Sequence, residues 1–255
     1  MRIIRYRQEE KSAFGVLTTD GIVHEALGSM EEGFHQGEGV GLYTNLRLLA
    51  PVVPSKIIAI GRNYIAHAAE YDREVPTEPV IFLKPPSTII THGDTILLPH
   101  ESDRVEHEAE LAVVIGTRAI NVSEENARSV VFGYTCANDV TARDLQFKDV
   151  QWTRGKGFDT FCPIGPWIET EFDPANKKIE CRVNGKVRQQ SNTQHLLFDV
   201  DELIRYISKI MTLEVGDVIL TGTPEGVGRI NKGDLVEVEV EGIGTLGNPT
   251  KNASD

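Results

Sequence analysis

Apolar residues along the chain come in short runs separated by polar turns, and this spacing predicts many strands and few helices. Near the N-terminus, Ile3-Ile4, the run 14–17 and the run 22–24 are strand-like pieces broken by Thr19-Asp20-Gly21. Residues 31–41 are rich in Gly and Glu, which predicts a surface loop. Pro51 and Pro54 bracket a junction, so the pattern divides the chain into a small β-rich unit over 1–53 and a main domain over 54–255. In the main domain, 56–60, 80–83, 95–98, 110–115, 217–221 and 235–240 read as strands. Residues 179–183 and 186–189 flank Asn184-Gly185, the signature of a hairpin with a type I′ turn. Leu203, Ile204, Ile207 and Ile210 have helical spacing over 198–211, and Ser123 before Glu124-Glu125 marks a helix start running to Val130 or Val131. Gly226 and Gly228 follow a strand but open no helix, so they are weak evidence for a phosphate cradle. The expected fold class is mixed α/β, dominated by strands.

Composition narrows the partners. The 255 residues carry 26 Lys and Arg against 38 Asp and Glu, a formal net charge of −12. Nucleic acid or an anionic membrane would need a basic face, so neither is expected. A small anionic substrate remains compatible if a few cations are focused in one pocket. The opening MRIIRYRQEEK turns charged after two isoleucines, and no apolar run reaches the roughly 18 residues of a membrane span. Cys136, Cys162 and Cys181 lack CxxC spacing and read as reduced, buried thiols. These features predict a cytoplasmic protein.

Candidate chemistry concentrates in three places. In a strand over 105–115, Glu106, Glu108 and Glu110 share one face while Ala109, Leu111 and Val113 share the other. Carboxylates aligned in this way repel unless a positive charge sits between them, and oxygen ligands favour Mg²⁺ or Mn²⁺. A solvated strand edge is the alternative. Asp139, at the end of a buried apolar stretch, is either a helix cap or a further ligand. His67 and Glu70 are i, i+3 neighbours on a short helical segment, the arrangement of a general base held by a carboxylate, or of a surface pair without a role. Cys162 lies before Pro163 with no adjacent base, which disfavours it as a nucleophile.

The ordered segments GRNYIAHAAE, EPVIFLKP, HEAELAVVIG, NDVTARDLQ, GKGFDTFCPIGP and LTGTPEGVG resemble the fumarylacetoacetate hydrolase family. They are most similar to its branch of small acylpyruvases, oxaloacetate decarboxylases and hydroxyheptadienedioate isomerases. The resemblance runs from about Lys56 to the C-terminus and is loose over residues 1–50. It implies a mixed β-roll, a homodimer, and a Mg²⁺ or Mn²⁺ site formed by Glu108, Glu110 and Asp139, with Glu106 outside it. It further implies His67 and Glu70 as a base dyad, Lys156 as the active-site lysine, and Arg143, Gln146 and Thr223 as substrate contacts. The expected reaction is hydrolytic C–C cleavage of a small acylpyruvate or 2-oxo diacid. The rivals are decarboxylation of oxaloacetate, isomerisation of a hydroxyheptadienedioate in aromatic catabolism, and a catalytically silent dimer that binds metal and dicarboxylates.

Overall fold

The computed structural model of the chain describes residues 1–66 and 75–254. Strands dominate it, as the apolar pattern predicts. The largest sheet has twelve strands, with Gly33–Leu42, Ile22–Ser29, Lys11–Leu17, Arg2–Gln8 and Cys162–Glu169 along one half of its path. Val131–Asn138, Ala109–Ile115, Val218–Leu220, Ile57–Gly61 and Val80–Lys84 form the other half. A five-stranded sheet, Lys186–Asn192, Lys178–Val183, Leu235–Val240, Gly244–Asn252 and Ile96–Leu98, packs against it. Val105–His107 joins Thr141–Ala142 and Gly228–Arg229 in a small third sheet.

The strand Ala109–Ile115 is buried along its whole length, so it carries apolar residues on both faces. Leu111, Val113 and Ile115 pack with Ile58, Ile219 and the helix Val200–Ile210. Ala112 and Val114 pack the other way, with Ile57, Ala59, Cys162 and Leu220. Alternation puts Glu110 on this second face, at the point where the apolar run gives way to polar side chains. The helix matches its predicted spacing through buried Leu203, Ile204 and Ile207, while Ile210 is exposed at its end. Asp199 Oδ1 caps it by accepting from Glu202 N at 2.9 Å.

Several details differ from the sequence pattern. Residues 31–41 are not a loop; Gly33–Leu42 is a strand at the sheet edge, paired with Ile22–Ser29. An edge strand that is mostly exposed needs backbone pairing rather than apolar alternation, so Gly and Glu do not prevent it. The N-terminal strands are continuous with the main sheet through Arg2 opposite Glu169 and Ile3 opposite Ile168. Residues Glu124–Val130 form a 3₁₀ helix, and Ser123 makes no side-chain cap to it. The expected hairpin forms, with Asn184 and Gly185 at φ of 52° and 74°. All three cysteines are free and buried, and burial pushes the Cys136 and Cys162 thiols up to about 12, which suits inert core residues. Among the described residues no helix is long and apolar enough to cross a membrane.

Asn63 ties two of these pieces together. Its Nδ2 donates to the carbonyls of Phe198 at 2.9 Å and Thr221 at 2.7 Å, and its Oδ1 accepts from Phe198 N at 2.8 Å. The side chain is fully buried, so no water can replace these bonds. Asn63→Ala strands two carbonyls and one N–H, and is expected to cost about 3 kcal/mol or more, read as a shifted urea midpoint. Asn63→Asp, although isosteric, should also destabilise, because a carboxylate would face both carbonyls.

Candidate metal centre and active-site cavity

Three carboxylates converge where the buried strand meets its neighbours. Glu110 lies in Ala109–Ile115, Glu108 immediately precedes it, and Asp139 follows Val131–Asn138, the adjacent antiparallel strand. One ligand oxygen from each lies within 4.8 Å of the others. Oxygens bonded at about 2.1–2.5 Å to one hard divalent cation lie at most about 4–5 Å apart, so the spacing fits such an ion. All three residues are buried, which rules out the solvated-edge alternative. Nor does Asp139 cap a helix, since the N-cap of Arg143–Lys148 is Ala142.

Cations from three elements surround the triad. Lys156 Nζ spans Glu108 Oε2 at 2.7 Å and Asp139 Oδ2 at 2.6 Å. Lys84 Nζ meets Asp139 Oδ1 at 2.6 Å. Arg143 binds Glu106 Oε2 at 2.6 Å, Gln146 Oε1 at 2.5 Å, and Glu108. Burial would lower the Lys156 pKa, but the charges of Asp139 and Glu108 outweigh it and hold the ammonium above the ordinary lysine value. Glu110 differs. Among the described residues its carboxylate has no cation in direct contact; Oε2 accepts from Gly222 N at 2.5 Å. Burial pushes its carboxyl well above the usual range, and Asp139 and Glu108 push it further. A hard divalent ion among the three would relieve both effects, so the donor set fits Mg²⁺ or Mn²⁺.

A cavity of about 440 Å³ opens onto the triad and also reaches Arg143, Gln146, Lys156 and Thr223. Each resemblance-derived site residue within the described chain therefore lines one space, whereas His67 and Glu70 lie outside the described residues. Lys156 is not a surface loop lysine; it ends the short helix Thr153–Lys156 and is 2 % exposed. Its flanking glycines have a steric reason: a Cβ at Gly155 would lie 2.9 Å from Gln146 N, and one at Gly157 would lie 2.5 Å from Thr153 O. Thr223 Oγ1 donates to the Ala109 carbonyl at 2.8 Å, so its hydroxyl can meet a ligand only as an acceptor while that bond stands. One wall is apolar: Trp152 packs edge-on to Phe82 at 5.2 Å, and Lys156 Nζ sits 5.1 Å from the Phe82 ring centroid.

Sequence reasoning missed three residues here, and the partners of a fourth, Glu106. Lys84 reads as the end of an apolar strand, and only its position before Pro85 hints at anything else. Glu106 stands outside the triad as expected, yet it pairs with both Arg104 and Arg143 and so orients the latter. Arg62 lines the cavity at φ 59°, its buried Nε has no hydrogen-bond partner, and no carboxylate pairs with it among the described residues. Gln189 is fully buried and bonds His107 and Thr223, from a strand remote in sequence. His107 itself is the hydrogen-bonded core histidine its position predicts, and burial lowers its pKa.

The fold and the buried carboxylates define a class: a strand-built enzyme with an acidic centre suited to a divalent metal. The fumarylacetoacetate (FAA) hydrolase C-terminal family matches residues 56–251, and the chain belongs to that family. Its members are enzymes and generally use a divalent metal. Residues 1–51 match a separate family, Rv2993c-like, N-terminal. The oxaloacetate tautomerase fahd2 (mitochondrial) of Xenopus laevis is 46 % identical over 237 residues, covering 88 % of this chain and 74 % of that protein. Among solved structures, 5-carboxymethyl-2-hydroxymuconate delta-isomerase from Mycobacterium smegmatis has a TM-score of 0.92 and 47 % identity, covering 99 % of this chain and 100 % of that one. The 2-hydroxyhepta-2,4-diene-1,7-dioate isomerase from Mycobacterium marinum has a TM-score of 0.91 and 41 % identity, with 100 % of both chains covered.

The triad can be tested without a substrate. Glu110→Gln keeps the shape, removes the buried charge and takes away one anionic ligand. Wild-type protein is expected to gain about 2–3 kcal/mol of stability at Mn²⁺ concentrations near a hundred times the dissociation constant. The variant should gain little from Mn²⁺, and without metal it should melt no lower than wild type. Thermal denaturation with and without a chelator checks both.

Proposed function

We propose that the protein interconverts tautomers or isomers of a small 2-oxo dicarboxylate through an enolate. The observation that carries this reading is the clustering of Glu108, Glu110 and Asp139 in one cavity with Lys156, beside Arg62, whose Nε has no hydrogen-bond partner among the described residues. Enolising a carbon next to a 2-oxo group builds negative charge on the carbonyl oxygen, and that charge is most of the barrier. A divalent ion held by the three carboxylates would supply Lewis-acid stabilisation of it. Lys156, kept as an ammonium, adds a second positive charge and a proton donor at Nζ beside the same space. Arg143 holds Glu108 in place through its pairing with both Glu106 and Glu108. With that guanidinium occupied, its role here is orientation of the carboxylate.

Arg62 supports a diacid. A guanidinium with no acidic partner among the described residues, in a partly apolar cavity, is well suited to a carboxylate, which it can bind through two parallel N–H bonds. The relatives named for oxaloacetate and for a heptadienedioate act on dicarboxylic acids, in agreement with this assignment. Hydrolytic C–C cleavage is the second reading. It needs all of the above and also a base to activate water, for which the His67 and Glu70 pair in the sequence is the candidate.

Two measurements separate these readings. Metal-stripped enzyme supplied with Mg²⁺ or Mn²⁺ is expected to speed the enol–keto conversion of oxaloacetate, followed by loss of enol absorbance. Acetylpyruvate and fumarylpyruvate should be cleaved slowly or not at all; efficient cleavage of either would promote the hydrolase reading, and inertness towards all three would end both. Arg62→Leu is expected to raise KM for oxaloacetate about tenfold or more while changing kcat less, since a charge-assisted bond contributes about 1.5–3 kcal/mol. An unchanged KM would remove Arg62 from substrate recognition.

A further inference from the structure

Gln189 lies on the strand Lys186–Asn192, in the five-stranded sheet rather than on any cavity-lining element, and is completely buried. All four hydrogen-bonding positions of its amide are taken. Oε1 accepts from Ala109 N at 3.0 Å and faces His107 Nδ1 at 3.0 Å. Nε2 donates to Thr223 Oγ1 at 2.8 Å and to the Pro224 carbonyl at 2.8 Å. The backbone partners fix which end is which, because an N–H only donates and a carbonyl only accepts. His107 Nδ1 therefore carries the ring proton.

These bonds reach the metal centre from two directions. Ala109 N is the peptide nitrogen between Glu108 and Glu110. The turn over residues 221–224, gripped at Thr223 and Pro224, is also the turn whose Gly222 N–H donates to Glu110 Oε2 at 2.5 Å. One side-chain amide thus holds backbone on both sides of Glu110.

The hairpin is built to deliver this side chain. From the Asn184-Gly185 turn, Val183 pairs with Lys186 and Arg182 with Val187, but Cys181 pairs with Gln189. Regular pairing would set Arg188 opposite buried Cys181 and turn Gln189 outward. A bulge of one residue at Arg188 reverses that assignment and points Gln189 inward. Gly226 records how closely the same loop approaches the bulge: a Cβ there would lie 2.2 Å from the Arg188 carbonyl oxygen.

We propose that Gln189 is a positioning residue that sets metal affinity by holding the 108–110 backbone and the 221–224 turn around Glu110. The proposal rests on the reading of Glu108, Glu110 and Asp139 as metal ligands. Gln189→Met keeps the side-chain length and removes all four bonds. Using the full chain, Mn²⁺ affinity is read by the EPR signal of free Mn²⁺ in the absence of substrate, with kcat and KM on oxaloacetate measured separately. Gln189→Met is expected to weaken Mn²⁺ binding about tenfold or more, in the range found for outer partners of metal ligands. Gln189→Glu should weaken it as well, because its carboxylate would face the Pro224 carbonyl. Gln190→Met, on the exposed neighbour, should leave affinity, kcat and KM unchanged. Wild-type Mn²⁺ affinity in Gln189→Met would overturn the proposal even if the variant melts lower, since a purely structural residue would give that result. Should Gln189→Met not fold, Gln189→Glu carries the same measurement with the same two outcomes. A wild-type chain that binds no Mn²⁺ would instead defeat the metal reading, and this inference with it.

Discussion

Mutual repulsion among buried carboxylates is the constraint around which the site is organised. Glu106, Glu108, Glu110 and Asp139 are each at most 4 % exposed, and charges withdrawn from water to that degree must be compensated. Lys84, Arg143 and Lys156, all similarly buried, provide most of the compensation, each from a different element. These cations account for Glu106, Glu108 and Asp139 but touch no oxygen of Glu110 among the described residues. The raised Glu110 pKa is the residue of an unfinished balance, which a divalent ion held by the three carboxylates would complete. Stability and function therefore pull together here: the arrangement that is poor as a dry core is good as an ion cage.

Backbone geometry does much of the holding. The turn 221–224 is fixed from above and below, by Asn63 at the Thr221 carbonyl and by Gln189 at Thr223 and Pro224. Gly222, at φ 102°, fits because it has no side chain: a Cβ there would come within 2.7 Å of Asn63 Cβ. The same turn reaches back to the buried strand through Thr221 Oγ1 to the Leu111 carbonyl and Thr223 Oγ1 to the Ala109 carbonyl. Asn63 and Gln189, neither of which lines the cavity, thereby help to hold the backbone around Glu110.

How much of this is legible in the sequence follows from the range of each interaction. Hydrophobic periodicity is local, so the Asn184-Gly185 hairpin and the helix over 200–210 can be read directly, whereas the strand predicted over 105–115 is two strands, Val105–His107 and Ala109–Ile115, that break at Glu108 and join different sheets. The motifs supply Asp139 and Lys156 as partners of the glutamates, which no spacing argument would provide. What stays hidden is long-range. Lys84 and Asp139 are 55 positions apart, and Gln189 is 80 positions from Ala109. The edge strand Gly33–Leu42 was equally hidden, because its pairing lies in the backbone ladder and not in its side chains. Arg62 sits inside a quoted motif, yet only its place on the cavity wall, with no acidic partner among the described residues, gives it meaning.

A chain with net charge −12 and an acidic centre is at first sight a poor host for a dianion. The local count resolves this. With four buried carboxylates set against Lys84, Arg143 and Lys156, a divalent ion brings the interior of the site to about one positive charge, and Arg62 adds another at the cavity wall. The low-dielectric surroundings of Phe82 and Trp152 strengthen that field where a substrate would lie. The global acidity then acts at longer range, where it is screened within about 10 Å at ordinary salt, so it cannot cancel a short-range excess inside the cavity. The sign of the charge in the interior of the site would thus turn on the ion: about one negative charge without it and about one positive charge with it.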